Sequence, residues 1–303
     1  MLDFRILGPV EAVELDRTIA LGGPLQRAVL AILILQRGEV VTSDRLIDEL
    51  WGERPPATAA KTLQGYVSRL RKVLGADVLV SRGGGYTLAV EAQQVDAERF
   101  EQFANEGRAA LANGDASAAR TLFSSALEIW RGEALADLAF SSFAAREVAR
   151  LEEARLSALE DRIEADLALG RHRELVGELE ELVARHPYRE RPRAQLMLAL
   201  YRSGRQAEAL ETYREGRRAL ADELGLEPGP ALRALEQRIL DHDPTLGQPR
   251  SAAVRARARR SRRAGLSPAR CCSQERSRPP WPSLLAALAR FCASRPTRWR
   301  AST

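Results

Sequence analysis

The sequence predicts an α+β winged helix-turn-helix domain followed by an all-α, tetratricopeptide-like helical-repeat domain, with a basic C-terminal tail read as disordered. Three observations carry this. A cationic amphipathic helix over Ala57–Gly75 runs directly into a short hairpin with an arginine and three glycines at its tip. Helical periodicity then continues almost unbroken from Glu91 to about Asp243. Beyond that the chain becomes rich in arginine and proline, as in Arg255–Arg263 (RARARRSRR) and Pro279-Pro280-Trp281-Pro282. The boundaries that follow are 1–91, 95–243 and 244–303.

The elements of the first domain read in order. Phe4–Leu7, Val10–Leu15 and Thr18–Leu21 are apolar or alternating runs, broken by Gly8-Pro9 and Asp16-Arg17, which suits a small antiparallel sheet. Helical spacing begins at Pro24, runs to Gln36 and stops at Gly38. Val40–Thr42 suits one short strand. Ser43 is placed to cap a helix over Asp44–Trp51, because its hydroxyl can accept an orphan amide of the first turn. Gly52 ends that helix, Pro55-Pro56 turns the chain, the basic helix follows, and a hairpin over Val78–Val90 closes the domain.

The basic helix is sided. At about 100° per residue, Val67, Leu70 and Leu74 fall within about 40° of Leu63 and form a core stripe. Lys61, Gly65, Ser68 and Lys72 cluster on the opposite side, at about 140° to 200°. Thr58 and Arg69 border that face on one flank, Gln64 and Arg71 on the other. Ala57–Gly75 holds four basic residues and no acidic one, whereas a merely solvated surface helix mixes signs. Gly65 costs about 1 kcal/mol inside a helix, which makes sense where the backbone must come close to something. Past Asp77, the hairpin's one ionisable group before Glu91, apart from Tyr86, is Arg82, at its tip. A cationic helix for the major groove and a basic hairpin for the neighbouring minor groove is how a winged helix holds duplex DNA.

Charge is unevenly spread. The formal net charge is +5, yet residues 1–90 carry +1, residues 91–249 carry −9, and residues 250–303, with 14 arginines and one glutamate, carry +13. The global value reports the tail. A basic surface on a near-neutral domain tied to an acidic body suits a DNA binder that avoids sticking everywhere. The favoured reading of the tail is a disordered arm that can add salt-dependent nonspecific affinity for phosphates; a truncated or frame-shifted end is the second reading of its composition. Its cysteines, Cys271, Cys272 and Cys292, are the only three in the chain, so no disulfide framework or cysteine-built zinc site is expected before it, in keeping with a reducing cytoplasm. No secretory signal or membrane span is predicted: the N-terminus lacks the required n- and h-regions, and the longest apolar runs, such as Ala28–Leu35, are too short.

The helical region carries a repeat. Gly170 and Gly204 are 34 residues apart, the tetratricopeptide period. Gly114, Gly170 and Gly204 are followed at +5 by Ala119, Leu175 and Ala209, at +9 by Phe123, Leu179 and Tyr213, and at +12 by Ala126, Leu182 and Gly216. The Gly114 unit precedes the next by 56 residues, out of phase with the other two. Glycine turns the chain, a small residue lets helices approach and a larger one fills the gap. One such hairpin cannot bury its face alone, so several stack into a curved surface for a protein or ligand.

Residues 1–243 resemble the Streptomyces antibiotic regulatory protein family, in which an OmpR-like winged helix precedes a bacterial transcriptional activator domain. The motifs are KTLQGYVSRLRKVLG at 61–75, RGGGYTL at 82–88, WRGEALADL at 130–138, RLEEARLSALEDRIEADLALGRH at 150–172, HPYRER at 186–191, LYRSGRQAEALETY at 200–213 and ELGLEPGPALRALEQRIL at 223–240. The resemblance implies a sequence-specific activator of a secondary-metabolite (antibiotic) gene cluster. It implies binding to direct repeats near promoters by head-to-tail protomers on double-stranded DNA, and recruitment of RNA polymerase and its sigma factor on the nucleoid. It assigns phosphate contacts to Lys61, Tyr66, Ser68 and Arg71, a base contact to Arg69 and a minor-groove contact to Arg82. Position 66 is Tyr and position 68 is Ser where some OmpR-like proteins have His and Arg, and the helical angle puts Tyr66 nearer the core than the groove. With Thr58, Gly65 and Lys72 from the exposed face, these make the expected DNA-binding set. Protomer contacts, polymerase contacts and sensing of a small-molecule effector all stand open for the repeat domain.

No enzyme chemistry is expected. There is no GxxxxGK[ST] phosphate loop, although larger members of the family carry a nucleotide-binding module. Gly83-Gly84-Gly85 has no following Walker lysine and fits a hairpin tip. His172, His186 and His242 lack metal-ligand spacing. Glu152-Glu153 and Glu180-Glu181 are adjacent pairs on helices and do not face each other. No cofactor, metal or catalytic group is assigned. The competing reading is a helical-repeat interaction scaffold whose first domain no longer binds DNA productively.

Overall fold

A computed structural model describes residues 2–138 and 142–247, the side chains of 142 and 143 excepted. The Arg-rich stretch from 250, with its three cysteines, lies outside the described residues. The N-terminal part is β-rich. Strands β1 (Leu2–Arg5), β2 (Glu11–Glu14) and β3 (Arg17–Thr18) form an antiparallel sheet in that order. Helix α1 (Pro24–Leu35), strand β4 (Val41–Thr42) and helices α2 (Ser43–Trp51) and α3 (Ala59–Leu74) follow, and then the hairpin β5 (Leu79–Arg82) and β6 (Gly85–Leu88). The second sheet has the order β4-β6-β5. The remainder is helical: α4 (Asp96–Ala112), α5 (Ala116–Glu128), α6 (Ser142–Ala168), α7 (His172–Arg185), α8 (Glu190–Arg202), α9 (Gln206–Leu224) and α10 (Pro230–Leu240).

Two local expectations are corrected. Ile6 and Leu7 leave the first strand, because their amides bond the Asp96 carboxylate at 2.8 to 3.0 Å and their carbonyls accept from Leu135 and Arg131. A backbone whose groups are already paired has no need of a ladder. Thr42, and not Ser43, caps α2: its hydroxyl accepts from the Arg45 amide at 3.2 Å. The Ser43 hydroxyl instead donates to the Gly84 carbonyl at 3.0 Å, on the hairpin tip.

The helical hairpins repeat one stop. Gly114, Gly170 and Gly204 have φ of +79°, +85° and +81°, where a side chain would be strained. In each turn the next residue's amide bonds a carbonyl five residues back: Asp115 to Ala110, Arg171 to Asp166 and Arg205 to Leu200, at 2.9 to 3.0 Å. The residues at +5, +9 and +12 from each glycine are all buried. Phe123 fills the gap above Gly107, where a Cβ would lie 2.8 Å from its ring.

The phase break after the first hairpin has a physical cause. In place of a short turn, the α5–α6 connection folds back onto the N-terminal sheet. Arg131 and Leu135 donate backbone hydrogen bonds to Leu7 and Ile6, Asp137 accepts from the Val10 amide at 3.0 Å, and the Arg131 guanidinium meets Glu11 at 2.7 Å. One buried apolar cluster therefore runs from Phe4, Leu7 and Leu33 through Leu63 and Leu70 to Phe100, Trp130 and Leu138. A second, from Ile163 to Leu246, holds the later helices together.

Asp96 sits at this junction, 1% exposed. Burial raises its pKa, opposed by the amides of Ile6, Leu7 and Ala97 and by the Arg131 charge. A carboxyl raised on folding favours the native state most when protonated, and that contribution is lost as pH rises through its folded pKa. The stability advantage of the wild type over Asp96→Asn is thus expected to be greatest in acid and to shrink as pH rises through the carboxylate range, measured by urea melts at a series of pH values. Asp96→Ala, which strands buried amides, is expected to cost about 3 kcal/mol or more at neutral pH.

Candidate DNA-recognition face

The chemistry-bearing helix is α3. Pro55 and Pro56 precede it, it starts at Ala59, and Gly75 at φ +102° ends it. Leu63, Val67, Leu70 and Leu74 are buried, so the apolar stripe seats the helix on the core. That fixes the opposite side outward: Lys61, Gln64, Ser68, Arg69 and Lys72 are exposed, as is Thr58 at the N-cap, while Gly65, Tyr66 and Arg71 are half-buried. With no acidic residue on the helix, this face is uniformly positive.

The wing is tied beside it. Strands β5 and β6 pair Arg82 with Gly85 across a two-residue turn, Gly83 and Gly84, with φ of +51° and +81°. Arg82 is exposed at this tip. Gly85 is needed for another reason: a Cβ there would lie 2.2 Å from the Val41 carbonyl, where β4 packs across β6. Ser43 pins the tip from the far side. From the near side, Arg71 donates from Nε to the Leu79 carbonyl at 2.7 Å and from Nη2 to the Ser81 hydroxyl at 2.8 Å, with its guanidinium 5.8 Å from the Tyr86 ring centre. Helix and wing are thus locked at a set spacing, with a groove between them lined by Gln64, Ser68, Arg71, Lys72, Ser81 and Tyr86.

Tyr66 differs from its neighbours. Its ring stacks on Trp51, at the end of α2, with centroids 6.5 Å apart and planes 16° apart. The Arg69 guanidinium lies 5.2 Å from the centre of the Tyr66 ring, and Arg69 Nε donates to the Gly65 carbonyl at 3.2 Å. Gly65 itself is not required by the fold, since a Cβ there would meet only Arg69 Nη2, at an ordinary 3.8 Å.

Sequence reasoning missed the supporting residues Ser43, Trp51 and Ser81. Trp51 carries a readable signal: it is an aromatic residue at the end of its helix, just before Gly52. Ser43 and Ser81 have none, because their partners lie 41 and 10 residues away. Among the described residues, no group of three or more His, Cys, Asp or Glu is placed to hold a metal ion, and no helix is long and apolar enough to cross a membrane.

Together, the winged helix with its basic outward face and the stacked helical hairpins are the two-part architecture of a class of DNA-binding transcriptional regulators. Family models match both parts: "Transcriptional regulatory protein, C terminal" over residues 17–88 and "Bacterial transcriptional activator domain" over residues 95–240. The regulatory protein DnrI of Streptomyces peucetius is 43% identical over 254 residues, covering 80% of this chain and 93% of that protein. The regulatory protein AfsR of Streptomyces griseus is 48% identical over 248 residues, covering 82% of this chain; the chain spans 25% of its length. A solved structure of Mycobacterium tuberculosis EmbR in complex with a low affinity phosphopeptide superposes with a TM-score of 0.79 at 39% identity, covering 83% of this chain and 69% of that one. The chain belongs to the Streptomyces antibiotic regulatory protein family.

Because Gly85 has carbonyl and not side chain against it, Gly85→Ala is expected to destabilise the protein by about 1–3 kcal/mol, as overpacking does. Urea denaturation checks this, and the same substitution at Gly65 should show no such loss.

Proposed function

We propose that the chain is a sequence-specific activator that binds direct repeats near promoters, with α3 in the major groove and the Arg82 wing in the adjacent minor groove. The observation that carries this is the solvent-facing basic side of α3 with the wing locked next to it. On this reading Lys61, Ser68, Lys72 and Thr58 meet phosphates, Arg69 a base edge, and Arg82 the minor-groove wall. Arg71 acts from the helix–wing seam. Gly65 lets the DNA backbone or base edges approach the helix. Its lack of any tight internal neighbour supports this, because the fold gains nothing from bearing the helix cost of glycine.

Direct repeats call for head-to-tail protomers, since a two-fold pair would read a palindrome. The acidic helical-repeat part then provides protomer contacts and meets RNA polymerase and its sigma factor. The regulated genes are those of a secondary-metabolite cluster, in keeping with the family, and the site of action is the cytoplasmic nucleoid.

The test is an electrophoretic shift on the DNA upstream of the chain's own gene, followed by transcription with purified polymerase. Specific, salt-sensitive binding and stimulated transcription are expected. Binding retained unchanged by the Lys61→Ala/Arg69→Ala double variant would remove α3 from the mechanism, and absence of any specific shift would leave the scaffold reading.

Two outcomes separate the roles of the side chains. Lys61→Ala should weaken all sequences alike and lower the salt slope by about 1, whereas Arg69→Ala should cost about 1–3 kcal/mol and relax preference at one position. Gly65→Ala should raise stability by about 1 kcal/mol while weakening the complex; a variant that is stabilised and binds as well as wild type would exclude close approach at this position.

A further inference from the structure

The side chain expected to read a base does not lie loose on the surface. Arg69 is exposed, yet it is restrained at two points: its Nε–H is bonded to the Gly65 carbonyl at 3.2 Å, and its guanidinium carbon lies 5.2 Å from the centre of the Tyr66 ring. The Tyr66 ring is in turn stacked against Trp51, which projects from the neighbouring helix α2 and is itself half-buried. The Tyr66 ring thus touches both the Trp51 indole and the Arg69 guanidinium. Tyr66 packs against the core cluster, so the ring that meets Arg69 is anchored to the fold.

We propose that Trp51 and Tyr66 are positioning residues for base recognition, a stacked platform that presets Arg69 for its contact, and that Tyr66 works through its ring and not through a phosphate bond from its hydroxyl. This rests on the reading that α3 enters the major groove with Arg69 as a base reader. The physical case is one of ordering cost. A free arginine gives up rotamer freedom when it is fixed on binding, whereas a guanidinium already held on an aromatic face gains a cation–π attraction and has less freedom left to lose. With Nε–H committed to Gly65, the terminal amino groups stay available for a bidentate contact to paired acceptors such as those of guanine. A Cβ at position 65 would not disturb the bond, since the carbonyl is the acceptor. The platform and the open face of Gly65 therefore serve separate purposes.

The platform predicts a coupling that a phosphate contact does not. Full-length wild type, Arg69→Ala, Trp51→Leu, Trp51→Phe, Tyr66→Leu and Tyr66→Phe would each select from a randomised duplex library, with thermal melts to verify folding and shift assays at several salt concentrations. Arg69→Ala should lower discrimination about tenfold or more at one base position. Trp51→Leu and Tyr66→Leu should weaken preference at that same position, with other positions and the salt slope unchanged. Tyr66→Phe and Trp51→Phe, which keep a ring, should restore it. Tyr66→Leu combined with Arg69→Ala should be no worse than Arg69→Ala alone.

The proposal is overturned if Tyr66→Phe weakens all sequences equally and lowers the salt slope, which is the signature of a hydroxyl–phosphate contact. It is also overturned if the two leucine variants fold and keep the full preference. Unchanged selection by Arg69→Ala removes Arg69 as the reader and the platform with it. A wild type that enriches no sequence is a different failure, that of the DNA-binding reading itself.

Discussion

The structure depends on one buried carboxylate. Asp96 lies at the first turn of α4 and collects the amides of Ile6, Leu7 and its neighbour Ala97, with Arg131 3.5 Å away. A helix N-terminus is favourable ground for an anion, and here the anion also ends the first strand and receives the α5–α6 connection. Three segments distant in sequence meet on it. Burying an ionised group is costly unless all its acceptor capacity is used, and this requirement makes the junction specific: no apolar residue could satisfy those amides.

The consequence is mechanical. The apolar cluster under α3 is continuous with the one under α4 and α5, and a parallel bridge from Phe4 to Val95 adds backbone pairing across the same seam. Helix α3 is therefore not flexibly tethered to the helical repeats. A protein contact made by the first hairpins is made at a set orientation to the basic face of α3.

Much of this was legible in the sequence, and the limits are instructive. The stripe of Leu63, Val67, Leu70 and Leu74 was readable because a 3.6-residue period fixes which side is buried, whatever the rest of the chain does. The turns at Gly114, Gly170 and Gly204 were readable because a left-handed stop is a local property of the chain. The cap of α2 was not. Thr42 and Ser43 can each cap a helix, and the choice is made by the Gly84 carbonyl, which local sequence cannot locate. Asp96 looked like any acidic first-turn residue, because its partners are about ninety residues upstream. Arg71 and Lys72 are adjacent cations with similar prospects in sequence, but only Arg71 reaches Leu79 and Ser81, so only Arg71 becomes part of the seam.

The charge distribution explains why preset geometry matters here. The first 90 residues carry only one net positive charge, and the helical part that follows is acidic. Nonspecific attraction to DNA, which scales with the number of phosphates neutralised, is therefore modest for this body. On the proposed reading, affinity rests on the few contacts of the basic face, and each contact is worth more when its side chain is already in place. On that same reading, locking Arg71 to the wing and laying Arg69 on Tyr66 both shift ordering cost from the moment of binding to the moment of folding. The same core that holds the repeats against the winged helix meets that cost, so stability and recognition in this chain draw on one set of contacts.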